Sequence, residues 1–186
     1  MRWLFALSMS LLIVNGLIGQ EIKSAKESRK EVSRKKKEER LAKIENEYKL
    51  TEKLLTSRKF VLEAQHLSNN RGGQIPVSAN LNFIFIDSIH AIIQVGSPER
   101  VGANGVGGVT AEGRISNWKF AKDDKRKIFN LYMTVQTNFG IYDITMMVDN
   151  SGNADASLTG LRAGRLTFTG DIVAREDSFI FKGQSH

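Results

Sequence analysis

The chain has 186 residues, 41% of them hydrophobic and 25% charged, with a formal net charge of +7 and no cysteine. Such a composition fits one globular domain with appendages and excludes wholesale disorder. The absence of cysteine excludes disulfides, a thiolate nucleophile, Cys-based zinc sites and a lipid anchor on an N-terminal cysteine.

The positive charge is unevenly spread. Residues 21–59 hold 14 Lys and Arg against 8 Asp and Glu, whereas residues 60–186 hold 12 of each. A nucleic-acid-binding domain carries its charge as a patch beside groups that read or stack on bases. Here the basicity belongs to one N-terminal segment and the rest is neutral, so no nucleic-acid partner is expected.

Residues 1–20, MRWLFALSMSLLIVNGLIGQ, open with Arg2 and run apolar from Trp3 to Val14, broken only by Ser8 and Ser10. The small residues Gly16 and Gly19 follow. This is the three-part pattern of a secretory signal peptide, and the apolar run is short for a bilayer span. The pattern predicts an exported protein, periplasmic or extracellular. An uncleaved membrane anchor is the alternative, because neither glycine ends an ideal A-x-A site.

Residues 21–58 form a basic segment with no proline or glycine, rich in the helix formers Lys, Glu, Arg and Leu. From Ser24 to Arg40 the only large apolar residue is Val32, and Glu31 and Lys35 stand at i,i+4 spacing. Further on, Leu41, Ile44, Tyr48 and Leu55 build one apolar face. The segment is therefore expected to be helical, with its second half docked on the domain that follows and residues 21–40 in water. Weak contact of residues 21–40 with a membrane surface or another envelope polymer is the competing reading.

Residues 59–186 change texture and read as an all-β domain. Strands are expected over 60–67, 83–86, 91–95, 109–120, from Phe129 to Val135, and over 141–148, 154–160 and 165–174, joined by turns such as 69–73, 122–127 and 149–153. Within 109–120 the apolar parity switches between Ile115 and Trp118, which a β-bulge near Ser116 and Asn117 would reconcile. Seven or eight short strands with tight turns predict an antiparallel meander closed into a small barrel or packed as a sandwich.

Phe83 to Ile86 is apolar at every position, so something must cover both faces of that strand. The Leu41, Ile44, Tyr48 stripe is the expected cover. Presumed inward positions are small at Ala111, Gly113, Ala154, Ala156 and Gly170 and bulky at Phe83, Phe85, Phe129 and Phe168. Two readings stay open: side chains that fill a barrel's taper, or the wall of a ligand cavity.

The glycine cluster Gly102, Gly105, Gly107, Gly108 and Gly113 lacks a G-K-[ST] ending and leads into a strand, so the helix N-terminus that binds phosphate is missing. Asp149, Ser151, Asn153 and Asp155 alternate like calcium ligands, but Ala154 and Gly160 stand where an EF-hand needs Gly and Glu. His66, His90 and His186 are scattered, and Glu112, Asp143 and Asp171 lie within strands. No catalytic, cofactor-binding or metal-ligating residue is assigned, no cofactor is expected, and the balance leans away from an enzyme.

Three stretches, 57-SRKFVLEAQHL-67, 81-LNFIFIDSIHAIIQVG-96 and 102-GANGVGGVTAEGRISNWK-119, resemble a family of exported proteins of unknown function from Bacteroidetes-type bacteria. The likeness spans residues 50–180. It implies a secreted, periplasmic or envelope-associated β domain and brings no catalytic residue with it. The expected role is a non-enzymatic protein that binds a small apolar ligand or an envelope protein through its barrel mouth or loops. An envelope structural or assembly factor using the basic helix is the alternative, and a hydrolase is the least supported.

Overall fold

The computed structural model describes residues 2–97, 105–160 and 164–184, with side chains from Glu27 onward. A helix, α1, spans Arg2–Ser57, and nine strands follow: β1 Lys59–Asn69, β2 Gln74–Pro76, β3 Phe83–Asp87, β4 His90–Val95, β5 Val109–Asp123, β6 Ile128–Thr137, β7 Gly140–Val148, β8 Asn153–Gly160 and β9 Arg165–Ala174. A 3-10 turn at Arg175–Asp177 leads into the C-terminal segment.

Every strand pairing is antiparallel, and β1 closes the meander by pairing with β9 along nearly its whole length. The result is an eight-stranded barrel of β1 and β3–β9, with β2 extending β1 beyond the end of β3. The expected all-β meander is therefore a barrel. β2 escaped the sequence reading because three residues ending in Pro76 give no alternation to detect.

Closure needs bends, and two bulges supply them. In β5 the register steps from Ser116 opposite Thr134 to Lys119 opposite Tyr132, with Asn117 at φ 56°. The parity switch in the sequence marked that bulge. In β1 the register steps from Ala64 opposite Gly170 to His66 opposite Thr169. Gly170 is required there, because a Cβ would lie 2.0 Å from the Glu63 carbonyl oxygen.

The compact unit comprises residues 44–186. Its barrel interior is filled: Phe60, Leu62, Ile84, Ile86, Phe129, Leu131, Met133, Ile144, Met146 and Phe168 are fully buried in one cluster. Ala111, Ala154 and Ala156 take the small inward positions, as expected. Around residue 55 the helix joins this core. Tyr48 and Leu55 are buried in the same cluster, and Tyr48 stacks on Phe129 with ring centroids 4.5 Å apart.

Two hairpin turns hold the helix across that end. Tyr48 Oη donates to Asp124 at 3.0 Å, Thr51 Oγ1 donates to the Asn150 carbonyl at 3.0 Å, and Lys122 and Lys127 pair with Glu52 and Glu45 at 2.7 and 2.8 Å. Those turns, 124–127 and 149–152, lie at the end of the barrel where the chain enters β1. Residues 44–57 thus stopper one end of the barrel. Leu41 is exposed and takes no part.

This corrects the expectation that the helix covers the outer side of Phe83–Ile86. Ile84 and Ile86 face the barrel core, whereas Phe83 and Phe85 face outward, contrary to their presumed inward placement. With both parities apolar, periodicity could not tell the two faces apart. The cover is the C-terminal segment: Ile180, like Phe85 and Val173, packs against the cluster of Val61, Phe83 and Ile92. Buried Gln94 fastens it, donating to the carbonyls of Phe181 (2.8 Å) and Leu81 (3.1 Å) and accepting from Gly183 N–H (2.8 Å) and Thr110 (2.9 Å).

Residues 27–43 form a solvated helix, every described side chain exposed, with Glu31–Lys35 and Arg34–Glu38 paired at i,i+4 spacing. Among the described residues no helix is long and apolar enough to cross a membrane.

Candidate functional site

The described polar residues among those singled out from the sequence do not converge on one site. His66 is on β1 and His90 on β4, and His186 lies outside the described residues. Glu112 pairs with Lys182 at 2.7 Å, Asp143 accepts from Tyr132 (3.0 Å) and Thr134 (2.7 Å), and Asp171 accepts from Gln65 at 2.6 Å. Each carboxylate is engaged in holding strands or the C-terminal segment together.

Asp149 is a turn builder. Its Oδ1 accepts from Ser151 N–H (2.8 Å), Ser151 Oγ (2.8 Å) and Asn153 N–H (3.0 Å), and its Oδ2 accepts from Asn153 Nδ2 (2.8 Å). Partial burial works to raise the carboxyl's pKa, but these donors outweigh it and hold Asp149 below its ordinary value. A shallow pocket of about 230 Å³ carries Asp149, Asp155 and Asp171, yet Asp155 is also engaged, accepting from Thr169 at 2.6 Å. Among the described residues no cluster of three His, Asp or Glu could hold a metal ion.

The glycine loop falls partly outside the described residues, at 98–104. Its described part turns tightly onto the β4–β5 hairpin: Val106 is buried, its carbonyl accepts from Ser97 N–H at 2.9 Å, and Gly105 and Gly107 have φ of 74° and 71°. Strand β5 follows at once, with no helix to receive an anion.

What remains is the barrel end opposite the helix. There an open pocket of about 560 Å³ is lined by the β6–β7 turn and the facing ends of β7, β8 and β9. Tyr142, Leu158 and Leu166 have inward parity and form its floor, packed against the barrel core. Phe139 and Ile141 stand on its rim, 50% and 45% exposed. Gly160 leaves room for the Tyr142 ring, since a Cβ would come within 3.0 Å of it, and Gly164 faces open space. The volume lies within the roughly 300–1,000 Å³ of small-molecule sites. Single exposed apolar residues are ordinary, but several gathered around a concave floor are not.

Sequence reasoning anticipated a barrel mouth but not which residues form it. Tyr142, Leu158 and Leu166 read only as ordinary inward positions, and Phe139 as a turn residue. The missing signal was the helix, which closes one end and leaves the pocket at the other.

The fold and site define a class: a small closed antiparallel barrel, stoppered at one end by residues 44–57 of its own helix, with a pocket among the described residues of the opposite end. Residues 42–172 match the family model described as a domain of unknown function, DUF4251, and the chain belongs to that family. The match takes in the docked part of the helix. Among solved structures the chain is similar to the crystal structure of a DUF4251 family protein from Bacteroides eggerthii, at 28% identity and a TM-score of 0.61, over 75% of this chain and 95% of that one. No curated protein matches the chain.

Proposed function

We propose that the protein is a non-enzymatic binding protein of the cell envelope that takes a small apolar ligand into the open end of its barrel. The observation that carries this reading is the mouth itself, an open pocket floored by Tyr142, Leu158 and Leu166 with the exposed Phe139 and Ile141 on its rim. The barrel interior is packed with side chains, so the ligand sits at the mouth and not within the lumen. The leader pattern, Arg2 followed by the apolar run to Val14, supports export to the periplasm or beyond.

The test is titration of the full chain with a neutral solvatochromic probe such as 1-aminoanthracene. Saturable, blue-shifted fluorescence at one probe per chain is expected, and Gly164→Trp, which adds bulk where a Cβ meets nothing within 4 Å, should abolish it. A probe that fails to bind, or that binds Gly164→Trp equally well, refutes the reading.

A second role draws on the solvated helix. Arg34 to Lys37 is an unbroken basic run of exposed residues, suited to weak contact with an anionic envelope surface or protein. Co-sedimentation with anionic vesicles that falls on neutralising Arg34, Lys35, Lys36 and Lys37 would support it, and equal sedimentation would remove it.

A further inference from the structure

We infer that the mouth selects an amphiphile with an anionic head, carboxylate or phosphate, and that Arg165 is the residue that recognises it. The inference rests on the ligand-binding reading of the mouth and names the class of ligand. Of the described residues lining the pocket, Arg165 alone carries a charge at neutral pH, and it opens β9 at the rim, on the opposite parity from the floor residue Leu166. The others are glycine, aliphatic or aromatic, so a ligand that fills the pocket presents an apolar body to all of them and a polar end to one.

Arg165 has no acidic partner, hydrogen bond or ring contact among the described residues. Three other arginines of the barrel unit, though not Arg71 or Arg114, are committed: Arg58 lies over the Trp118 ring at 4.6 Å, Arg126 pairs with Asp123 at 3.8 Å, and Arg175 pairs with Asp87 and lies 5.5 Å from the Phe85 ring centroid. The one carboxylate in the same cross-strand row is Asp143, with Thr159 between them. It already accepts from Tyr132 and Thr134. A guanidinium presents a planar fork that matches a carboxylate or phosphate through two parallel N–H···O bonds.

Tyr142 adds a second donor. Its ring is half-buried in the floor, and its hydroxyl has no hydrogen-bond partner among the described residues. A phenol and a guanidinium around one apolar pocket suit an acid better than an amine. A cationic head would meet Arg165 with like charge, and an uncharged one would forgo the charge-assisted bond.

The experiment uses the full chain and competition against the bound neutral probe by dodecanoate, dodecyl phosphate, dodecanol and dodecylamine, in wild type and Arg165→Gln. Dodecanoate or dodecyl phosphate should displace the probe at about tenfold lower concentration than dodecanol, with dodecylamine weakest. The tighter anion distinguishes carboxylate from phosphate. Arg165→Gln should erase that advantage, bringing dodecanoate and dodecyl phosphate to the concentration dodecanol needs, with the melting temperature unchanged. Equal affinity for all head groups, or an anion preference that survives Arg165→Gln, overturns the role of Arg165 while the mouth reading stands. Failure of every amphiphile, dodecanol included, overturns both.

Discussion

Tyr48 lies flat on Phe129, ring centroids 4.5 Å apart and planes 13° from parallel, so a helix residue becomes the lid over the barrel's aromatic end. Lys127 covers the same Tyr48 ring at 4.5 Å while pairing with Glu45. Stacking, cation–π contact and hydrogen bonding at one residue make this the most concentrated joint between helix and barrel.

Replacing that ring should be costly. Tyr48→Ala is expected to destabilise the unit by about 3 kcal/mol, and Leu55→Ala by about 2–4 kcal/mol, from lost contacts and the cavities left behind. Tyr48→Phe keeps the stack and loses only the bond to Asp124, so it should cost about 1 kcal/mol. Urea denaturation of the three variants gives the order.

The same residue predicts an alkaline limit. Burial, followed by its hydrogen bond to Asp124, pushes Tyr48 up from 10.0 to about 12. The folded chain therefore keeps a proton that the unfolded chain releases near pH 10, so this contribution is intact below pH 10 and lost as pH rises towards 12. Ultraviolet titration should show one tyrosine ionising late. Tyr48→Phe should remove that step and flatten the alkaline loss of stability.

Asp149 predicts the opposite limit. Its carboxyl is held below the ordinary value of 3.8, so its contribution is full above that value and lost as pH falls through the lowered one. Asp149→Asn keeps an acceptor for the turn's N–H groups but not the charge. It should melt lower than wild type at pH 7, and the gap should close as the pH falls through the lowered value of the Asp149 carboxyl.

Gln94 locks the C-terminal segment over Val61, Phe83 and Ile92. Gln94→Leu removes the partner of two carbonyls and the Gly183 N–H, and should cost about 2–3 kcal/mol. Tryptic cleavage after Lys182 should accelerate in the variant, because the segment loses its fastening. Unchanged cleavage would show that the apolar cover suffices alone.

Much of this architecture was legible in the sequence. Alternation from Phe129 to Val135 placed a strand whose inner residues are buried as read, and the parity switch after Ile115 located a bulge to within a residue. What stayed hidden depended on tertiary partners. Phe83 and Phe85 carry the same apolar signal as Ile84 and Ile86, so nothing local says which pair faces the core. Gln94 looks like any strand glutamine until the C-terminal segment arrives to use both ends of its amide. Gly170 read as a small filler, whereas its role is to let the Glu63 carbonyl approach. The mouth was hidden for the same reason, since which end carries the pocket depends on which end the helix closes.

The central claim is that the barrel end opposite Tyr48 is a binding site. The most direct measurement is the set of backbone amide shifts of the full chain titrated with dodecanoate. Saturable shifts confined to Phe139–Tyr142, Leu158–Gly160 and Gly164–Leu166 are predicted, with Tyr48, Leu55 and Gln94 unmoved. Shifts centred on the helix end or the C-terminal segment, or none at saturating ligand, would contradict it.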